Sequence, residues 1–507
     1  MAHNRKNISK GTLNKMKYYS TRDTKQTKFD SAQVIKQGLA TDGGLFIPDE
    51  IPAITKEDIQ SLCKVTYPER AAWVLSKFLT DYTYDELLED CKGAYSDASF
   101  PGGAAPLKKV TDNLFSLELW HGPTAAFKDM ALQIMPRLLS RALVKTGEEN
   151  TALILVATSG DTGKAALEGY RDIDRIKIMV FYPVDGVSKV QKLQMATQLG
   201  DNVNVCAIKG NFDDAQTGVK KIFSDAEAKA KLLDNNYILS SANSINWGRL
   251  APQIVYYISA YCDLLNAGEI AYGESVNVCV PTGNFGNILA AFIAKKMGLP
   301  INKFVCASNA NNVLTEFLET GTYDRNREFH LTMSPSMDIL ISSNLERLLY
   351  LSSNAEATAK YMSQLNENGK YTVSDDIKAE ISKNFVGYFA DETATTETIK
   401  KYFHEYNYLA DTHTSVAIYC AEKFIAAEND GKKMIVASTA SPYKFASDVY
   451  RAVSDKDASE GTGALDDLSN ATNTEITLPL RNLDKKPVRF TTVIEKSQML
   501  DEVYKFM

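Results

Sequence analysis

Strand-sized apolar runs alternate with helix-like segments along much of the chain beyond residue 100. Runs such as Leu153–Ala157, Val203–Ile208 and Val276–Val280 are each followed by a helical pattern. Because these runs are apolar on both faces, they predict parallel strands covered by helices on both sides. The alternation lapses near residues 210–275 and 340–410. We therefore expect an α/β protein with two parallel-sheet lobes and helical insertions, not one continuous sheet.

The chain length of 507 residues indicates several domains, since a single core rarely grows so large. We expect a disordered leader at residues 1–16 and a mainly helical N-terminal domain at 17–100. The two α/β lobes should occupy 101–453, with a helical insertion at about 340–410. A C-terminal loop and helix would complete the chain at 454–507.

Charge and composition exclude several classes of function. The formal net charge of -7 argues against a nucleic-acid or membrane-surface partner, either of which calls for basic patches. Seven cysteines occur without a CxxC pair and five histidines without metal-ligand spacing, which indicates reduced thiols and no metal site. No apolar run reaches about 18 residues, so we expect no transmembrane helix and a cytoplasmic protein.

One lysine stands at a boundary that can aim its side chain. The turn His121-Gly122-Pro123-Thr124 precedes Lys128, and a helix-like apolar run continues from there to Leu143. Backbone that bends sharply beside a helix start holds a side chain in one direction. An ordinary exposed lysine is the alternative interpretation, and this stretch alone does not decide between the two.

Two strand-to-helix turns are typical of anion-binding sites. The first runs from Ala157 to Lys164 and reads ATSGDTGK, and the second runs from Pro281 to Asn287 and reads PTGNFGN. Small residues at a helix start leave backbone N–H groups free, and the helix dipole adds to their attraction for a phosphate or carboxylate. Both turns follow expected parallel strands, where open α/β sheets bind ligands.

The residues at the motif positions of these turns disfavour a nucleotide-binding enzyme. A P-loop needs a glycine at the position of Thr158 and Ser or Thr at Ala165, and Phe285 occupies the place of the second glycine of GxGxxG. A plain structural turn remains an alternative for each loop taken singly. Two such loops together with Lys128 favour pyridoxal 5'-phosphate, which needs an amine for a Schiff base and a cup for its phosphate.

At this point the motifs resemble those of threonine synthase, a fold-type II pyridoxal phosphate enzyme. They occur in the family's order, and the longer helical middle is similar to the branch found in fungi and many bacteria. The matching stretches are HGPTAAFKD at 121–129, TSGDTG at 158–163, SINWGR at 244–249, PTGNFGN at 281–287 and TASPYKF at 439–445.

The resemblance implies a role for each matching residue. Lys128 would form the Schiff base and carry the proton transfers, and Thr439 would face the pyridine nitrogen. The expected cup for the cofactor phosphate comprises Gly283, Asn284, Phe285, Gly286 and Asn287. The expected substrate contacts are Ser159, Gly160, Asp161 and Thr162 for the carboxylate, and Asn246, Arg249, His121 and Thr124 for the phosphate.

The resemblance also implies the reaction, in which O-phospho-L-homoserine and water give L-threonine and phosphate. We expect a monomer or weak homodimer that acts on this small molecule. Three alternatives stay open: a serine or threonine dehydratase, a threonine-synthase-like phospholyase that makes no threonine, and a non-catalytic binding protein that keeps the fold.

Overall fold

The structure is a computed structural model that describes residues 15–158, 160–185 and 187–507. Its strands are β1 (Tyr18–Ser20), β2 (Phe46–Pro48), β3 (Leu107–Lys109), β4 (Leu114–Glu118), β5 (Thr151–Ala157), β6 (Ile176–Pro183), β7 (Val203–Lys209), β8 (Tyr237–Ser240), β9 (Val276–Pro281), β10 (Ile301–Ser308), β11 (Thr322–Asp324), β12 (Lys370–Thr372), β13 (Phe385–Phe389), β14 (Met434–Ser438) and β15 (Val493–Glu495).

The helices lie between and around these strands. They are α1 (Ser31–Gln37), α2 (Lys56–Leu62), α3 (Tyr67–Phe78), α4 (Tyr84–Ala94), α5 (Asp129–Leu132), α6 (Met135–Lys145), α7 (Asp161–Tyr170), α8 (Lys189–Ala196), α9 (Phe212–Ser224), α10 (Ala226–Asp234), α11 (Trp247–Asn266), α12 (Gly286–Met297), α13 (Val313–Thr320), α14 (Leu345–Ser352), α15 (Ala355–Asn368), α16 (Asp375–Ser382), α17 (Glu392–Tyr406), α18 (Thr412–Glu428), α19 (Ala446–Ser454), α20 (Gly463–Thr472) and α21 (Met499–Phe506).

Two sheets form the two lobes. The larger has the order β13-β10-β9-β14-β4-β3, and its neighbouring strands are parallel except for the antiparallel pair β3 and β4. The smaller has the order β15-β7-β6-β5-β8 and is parallel throughout. Most residues of the central strands are buried, as a sheet covered on both faces requires. The expectation of two parallel-sheet lobes is therefore confirmed.

The long helix α11 joins the N-terminal region to the lobes. It packs against α3, α5 and α12, and nearly all of its side chains are buried. Its start is capped by Asn246, whose side-chain oxygen accepts a 2.9 Å hydrogen bond from the N–H of Gly248. A helix that is apolar on every side is stable only inside the protein, which explains its central place.

The N-terminal region contains α1 to α4 and the small antiparallel sheet of β1 and β2. All four of its helices begin with a capping box, in which the N-cap residue and the residue three positions later satisfy each other's backbone N–H groups. The pair is threonine with an acidic residue in α2, α3 and α4. Of the expected leader, residues 1–14 lie outside the described residues. Met16 is buried, and its N–H donates to Thr80 Oγ1 at 2.9 Å, so the expected boundary at 16 is placed too late.

The insertion at 340–410 is not purely helical, contrary to expectation. It holds α14 to α17, but β13 pairs in parallel with β10 and forms one edge of the large sheet. Phe385 explains this placement, because its ring contacts those of Phe285, Phe292 and Phe304. A five-residue strand interrupted by Gly387 carries too weak a pattern to be recognised before its partners are known.

The C-terminal region differs from the expected loop and helix. Part of the stretch expected to be a loop forms α20, which buries Ala464, Leu465 and Leu468 and packs against α19. Farther along, β15 pairs with β7 and extends the smaller sheet. Over the part of the chain that the structure describes, no helix is long and apolar enough to cross a membrane.

Candidate active site

A cavity of about 1070 Å³ lies between the two lobes. It is lined by the residues that follow the carboxyl ends of β5, β9 and β14, the position at which parallel sheets bind ligands. Of the residues predicted for the site, the lining includes Lys128, Asp161, Thr162, Arg249, Gly283, Asn284, Phe285, Gly286, Asn287 and Thr439. Segments far apart in the chain thus meet in one place.

Lys128 caps the short helix α5 and points into this cavity. The turn before it is bound to the segment after β14, because the N–H of Phe127 donates to the Thr439 carbonyl at 2.8 Å. Its Nζ donates to Ser336 Oγ at 3.3 Å and lies 3.8 Å from Asp161 Oδ2. Burial lowers the pKa of the Lys128 amine, which the charge of Asp161 opposes. A neutral amine is what a nucleophilic lysine needs.

The first loop turns at Gly160, whose φ is +142°. A Cβ there would lie 2.5 Å from the Gln191 side chain, so both conformation and space require glycine. Thr158 Oγ1 accepts hydrogen bonds from the N–H groups of Gly160 and Gly163. Among the described residues, the N–H groups of Asp161 and Thr162 have no partner. Ser159 lies outside the described residues, so its predicted contact stays a prediction.

Asp161 is buried and bound on one side. Its Oδ1 accepts from Lys444 Nζ and from Gln191 Nε2, both at 2.8 Å. Burial alone would raise the pKa of Asp161, but the charges of Lys444 and Lys128 hold it well below its ordinary value. The carboxylate is therefore ionised, and its second oxygen faces the Lys128 amine.

The second loop presents a row of free donors at the start of α12. Taken over the described ranges, the backbone N–H groups of residues 283–287 have no hydrogen-bond partner. The residue with a left-handed backbone is Phe285, with φ of 61°, and not one of the glycines. Gly283 is needed for another reason, because a Cβ there would lie 2.6 Å from the carbonyl oxygen of Ser336.

Asn287 adds a side-chain donor to that row. Its Oδ1 accepts hydrogen bonds from the hydroxyls of Tyr256 and Tyr257. Because hydroxyl donors hold the oxygen, the amide nitrogen Nδ2 faces the other way, and within the described residues it has no partner. Unpaired buried donors such as Asn287 Nδ2 are rare in proteins. With the five N–H groups of residues 283–287, six donors without a partner among the described residues surround one helix start, which indicates a bound anion.

Arg249 is the buried cation of the cavity wall. The residue is 4% exposed, and one of its nitrogens donates to the Ala242 carbonyl, while Nε has no partner in the described part of the chain. Burial lowers the pKa of its guanidinium to about 10, so the group still carries its charge at neutral pH. A buried cation without an acidic partner is costly unless an anion joins it.

Four predicted substrate contacts do not line the cavity. His121 Nε2 pairs with Glu118 at 2.9 Å, Thr124 binds Asp129, and Asn246 caps α11 and donates to the Ile35 carbonyl. Gly160 lets the first loop pack closely against the Gln191 side chain. Their contacts with a substrate stay predictions, and the structure gives each of the four a role in holding neighbouring residues.

Sequence reasoning missed three residues near Lys128. Lys444 pairs with Asp161, Ser336 accepts from Lys128, and the N–H of Ser336 donates to His413 Nε2 at 3.1 Å. Since Nε2 accepts, the His413 proton is on Nδ1, which lies 3.1 Å from Asp411 Oδ1. The polar runs SPSMD at 334–338 and DTHTS at 411–415 were the available signals.

Pyridoxal phosphate fits this set of residues. A buried amine of lowered pKa faces the cavity, and a row of unpaired donors at a helix start could hold a phosphate. Thr439, with a neutral hydroxyl, lines the same cavity. Over the described residues, no cluster of His, Cys, Asp or Glu suited to a metal ion occurs.

Comparisons with known proteins agree with this geometry. Three family models match: "Threonine synthase N terminus" at residues 17–95, "Pyridoxal-phosphate dependent enzyme" at 104–439 and "Threonine synthase, C-terminal" at 414–506. Threonine synthase-like 1 of Homo sapiens is 41% identical over 445 residues, which cover 85% of this chain. The match spans only 59% of that longer relative.

In two further matches, the alignment covers most of this chain and most of the matched protein. Threonine synthase of Pseudomonas aeruginosa is 39% identical over 443 residues, 86% of this chain and 90% of that protein. The crystal structure of PLP-bound threonine synthase from Brucella melitensis superposes with a TM-score of 0.85 at 36% identity, covering 97% of this chain and 99% of that one. The chain belongs to the threonine synthase family of pyridoxal-phosphate dependent enzymes.

Proposed function

We propose that the protein converts O-phospho-L-homoserine and water into L-threonine and phosphate. The observation that carries the proposal is the convergence on one cavity of Lys128, two helix starts and Arg249. Among the described residues, the first N–H groups of both helix starts and the Nε of Arg249 have no hydrogen-bond partner. The substrate carries a carboxylate and a phosphate, and the cofactor carries a second phosphate. The cavity offers a separate set of donors to each of these three anions.

Three parts of the chain would hold the cofactor. Lys128 provides the amine, the loop from Gly283 to Asn287 provides donors for the phosphate, and Thr439 provides a neutral hydroxyl for the pyridine nitrogen. Pyridoxal phosphate, when bound, supplies an aldehyde for Schiff-base formation and an electron sink for the substrate carbanion. A hydroxyl at the ring nitrogen, in place of a carboxylate, would leave that nitrogen largely unprotonated.

The substrate anions would be divided between the two sides of the cavity. The free N–H groups of Asp161 and Thr162 at the start of α7 are suited to the substrate carboxylate. On α11, the guanidinium of Arg249 can meet two phosphate oxygens at once through its fork of donors. This arrangement would place the carbons that react between the two anchors and beside Lys128.

Lys128 would move the protons. Its Nζ would take the proton from the substrate Cα and release it before taking one from Cβ, which allows phosphate to leave from Cγ. Nζ would then give one proton to Cγ. Water would add its hydroxyl at Cβ and give its proton to the released phosphate, and the remaining proton would return to Cα through Nζ. The lowered pKa of the buried amine suits a group that must accept and release protons near neutral pH.

The segment 334–344 would limit the entry of water from one side. Ser336 contacts Lys128, and Ser342 Oγ donates to the Gly283 carbonyl at 2.7 Å. Asn344 donates through its N–H and its side chain to the Asn284 carbonyl, each at 3.1 Å. A segment bound at both the amine and the phosphate loop can exclude water that would otherwise protonate a carbanion early.

Product analysis with O-phospho-L-homoserine tests the proposal. We expect the purified protein with pyridoxal phosphate to release phosphate and L-threonine in equal amounts, and the Lys128→Ala variant to release neither. Phosphate release accompanied only by a 2-keto acid would refute the synthase and favour a phospholyase that makes no threonine. The 41% identity to proteins named threonine synthase-like 1 makes this comparison necessary.

The proposal also covers location and assembly. All seven cysteines are free thiols, as a reducing compartment allows, and we place the enzyme in the cytoplasm. Lys128, the loop from Gly283 to Asn287 and Arg249 all come from one chain, and we propose a monomer or weak homodimer. Sedimentation of the active enzyme at several concentrations tests the assembly, and a stable tetramer would contradict it.

A further inference from the structure

Lys444 is a fully buried lysine outside the set of predicted site residues. Its side chain is 0% exposed, and its Nζ donates to Asp161 Oδ1 at 2.8 Å and to Gln194 Oε1 at 2.9 Å. It also donates to the carbonyl oxygen of Thr124 at 3.3 Å. A lysine ammonium has three donor protons, and all three are used here.

The three partners of Lys444 belong to different parts of the fold. Asp161 begins α7 and Gln194 lies in α8, both beside the smaller sheet, whereas Thr124 belongs to the turn that carries Lys128. Lys444 itself follows β14 of the larger sheet. One ammonium group therefore links both lobes at the level of the Lys128 amine.

The two oxygens of Asp161 have different surroundings. Oδ1 is held by Lys444 and by Gln191, while Oδ2 lies 3.8 Å from Lys128 Nζ. With one oxygen fixed from behind, rotation of the carboxylate is prevented and the other oxygen stays directed at the amine. Without Lys444, Asp161 would have the amine as its remaining cationic neighbour within ion-pair distance among the described residues.

We propose that Lys444 is a positioning residue that acts through Asp161, fixing one carboxylate oxygen so that the other is aimed at the Lys128 amine while the negative charge is balanced. This rests on the proposed function, since the amine matters only if it forms the Schiff base. An ion pair that served folding alone would leave the reactivity of Lys128 unchanged once the protein is folded.

The balance of charges around Lys128 predicts the sign of a measurable change in the reactivity of its amine. Among the described residues, the charged or titratable groups around Lys128 include Asp161 on α7, Lys444 after β14, Arg249 on α11, Asp129 on α5, His413 on α18 and Asp338 in the segment 334–344. Removal of the Lys444 charge leaves Asp161 to stabilise the protonated amine. Removal of the Asp161 charge leaves two cations to destabilise it. The two substitutions should therefore change the reactivity of the amine in opposite directions.

The test measures how fast Lys128 reacts with pyridoxal phosphate as a function of pH. The full-length protein, freed of cofactor, is mixed with pyridoxal phosphate, the imine is reduced with borohydride, and labelled Lys128 peptide is quantified by mass spectrometry. We expect Lys444→Met to raise the pH of half-maximal rate by roughly 0.5 to 1 unit and Asp161→Asn to lower it by about 1 to 2 units.

Lys164→Met is the matched control. Lys164 is another buried lysine, 8% exposed, but it pairs with Glu168 at 3.0 Å and not with Asp161. It should leave the pH of half-maximal rate unchanged. A shift as large as that of Lys444→Met would overturn the proposal, and so would shifts of the same sign in Lys444→Met and Asp161→Asn.

The double variant Asp161→Asn with Lys444→Met keeps the test decisive if either single variant misfolds. It removes both charges of the Asp161–Lys444 pair, so neither residue is left as a buried ion without the other. We expect its pH of half-maximal rate to return toward that of the wild type. A value that stays above that of the wild type would refute the proposed charge balance between Lys444 and Asp161. Absence of label at Lys128 in the wild type would instead sink the proposed function.

Discussion

Replacement of Gly283 by alanine is expected to disturb the site by steric contact alone. The new Cβ would lie 2.6 Å from the Ser336 carbonyl oxygen, inside the 3.4 Å at which ordinary contact begins. Ser336 would have to move by the difference, 0.8 Å. Its hydrogen bonds to Lys128 at 3.3 Å and to His413 at 3.1 Å would then be lost or weakened.

The magnitude follows from these contacts. Overpacking of this kind costs about 1 to 3 kcal/mol of folding free energy, and each hydrogen bond adds about 1 kcal/mol. With both hydrogen bonds lost, we expect Gly283→Ala to lose roughly 3 to 5 kcal/mol in the free energy of unfolding. Its affinity for pyridoxal phosphate should fall about tenfold, because displaced amides no longer point at one phosphate.

Gly286→Ala provides the control on the same loop. The nearest atom to its new Cβ would be Asn344 Nδ2 at 3.4 Å, an ordinary contact, and Gly286 begins α12, where alanine is favoured. Urea unfolding and absorbance titration with the cofactor measure both variants. The reasoning is refuted if Gly286→Ala loses as much stability or affinity as Gly283→Ala.

Three further predictions concern single side chains. Burial raises the pKa of Asp129 from 3.8 to about 6, so the stability that it contributes is present below pH 4 and is lost as pH rises through 6. Asp129→Asn should therefore gain about 3 kcal/mol relative to the wild type between pH 4 and 7, and a constant difference in urea unfolding would contradict this. Arg249→Lys keeps the charge but loses the fork, and should weaken binding of inorganic phosphate by about tenfold in calorimetry, with unchanged binding as the contrary result. His413→Phe removes the acceptor of the Ser336 N–H and should speed hydrogen exchange at residues 334–338, whereas unchanged exchange would show that this bond does not hold the segment.

Features local in sequence were predictable. The apolar runs of β5, β7 and β9, the helix starts after them and the boundary position of Lys128 all follow from patterns within a few residues. The two loops were recognisable because small residues between an apolar strand and a helix start are typical of anion-binding turns. Two details of the second loop were not predictable. Its residue with a positive φ is Phe285 and not a glycine. Gly283 must be glycine because the Ser336 carbonyl, from another segment, lies against it.

Contacts between distant segments were not predictable in the same way. β13 and β15 are too short to be recognised alone and become strands because β10 and β7 offer open edges. The same reason applies to Lys444, because its charge gains a meaning only when folding places it beside Asp161 and excludes water from both.

The sequence by itself determined that the chain forms parallel α/β lobes, that Lys128 stands at a turn and that two helix starts can bind anions. These follow from local steric and hydrogen-bonding rules. Only the tertiary structure decided which charges surround the Lys128 amine and that Ser336 and His413 lie beside it. The physical reason is that burial and electrostatic energy depend on distances through space, which a linear pattern does not contain.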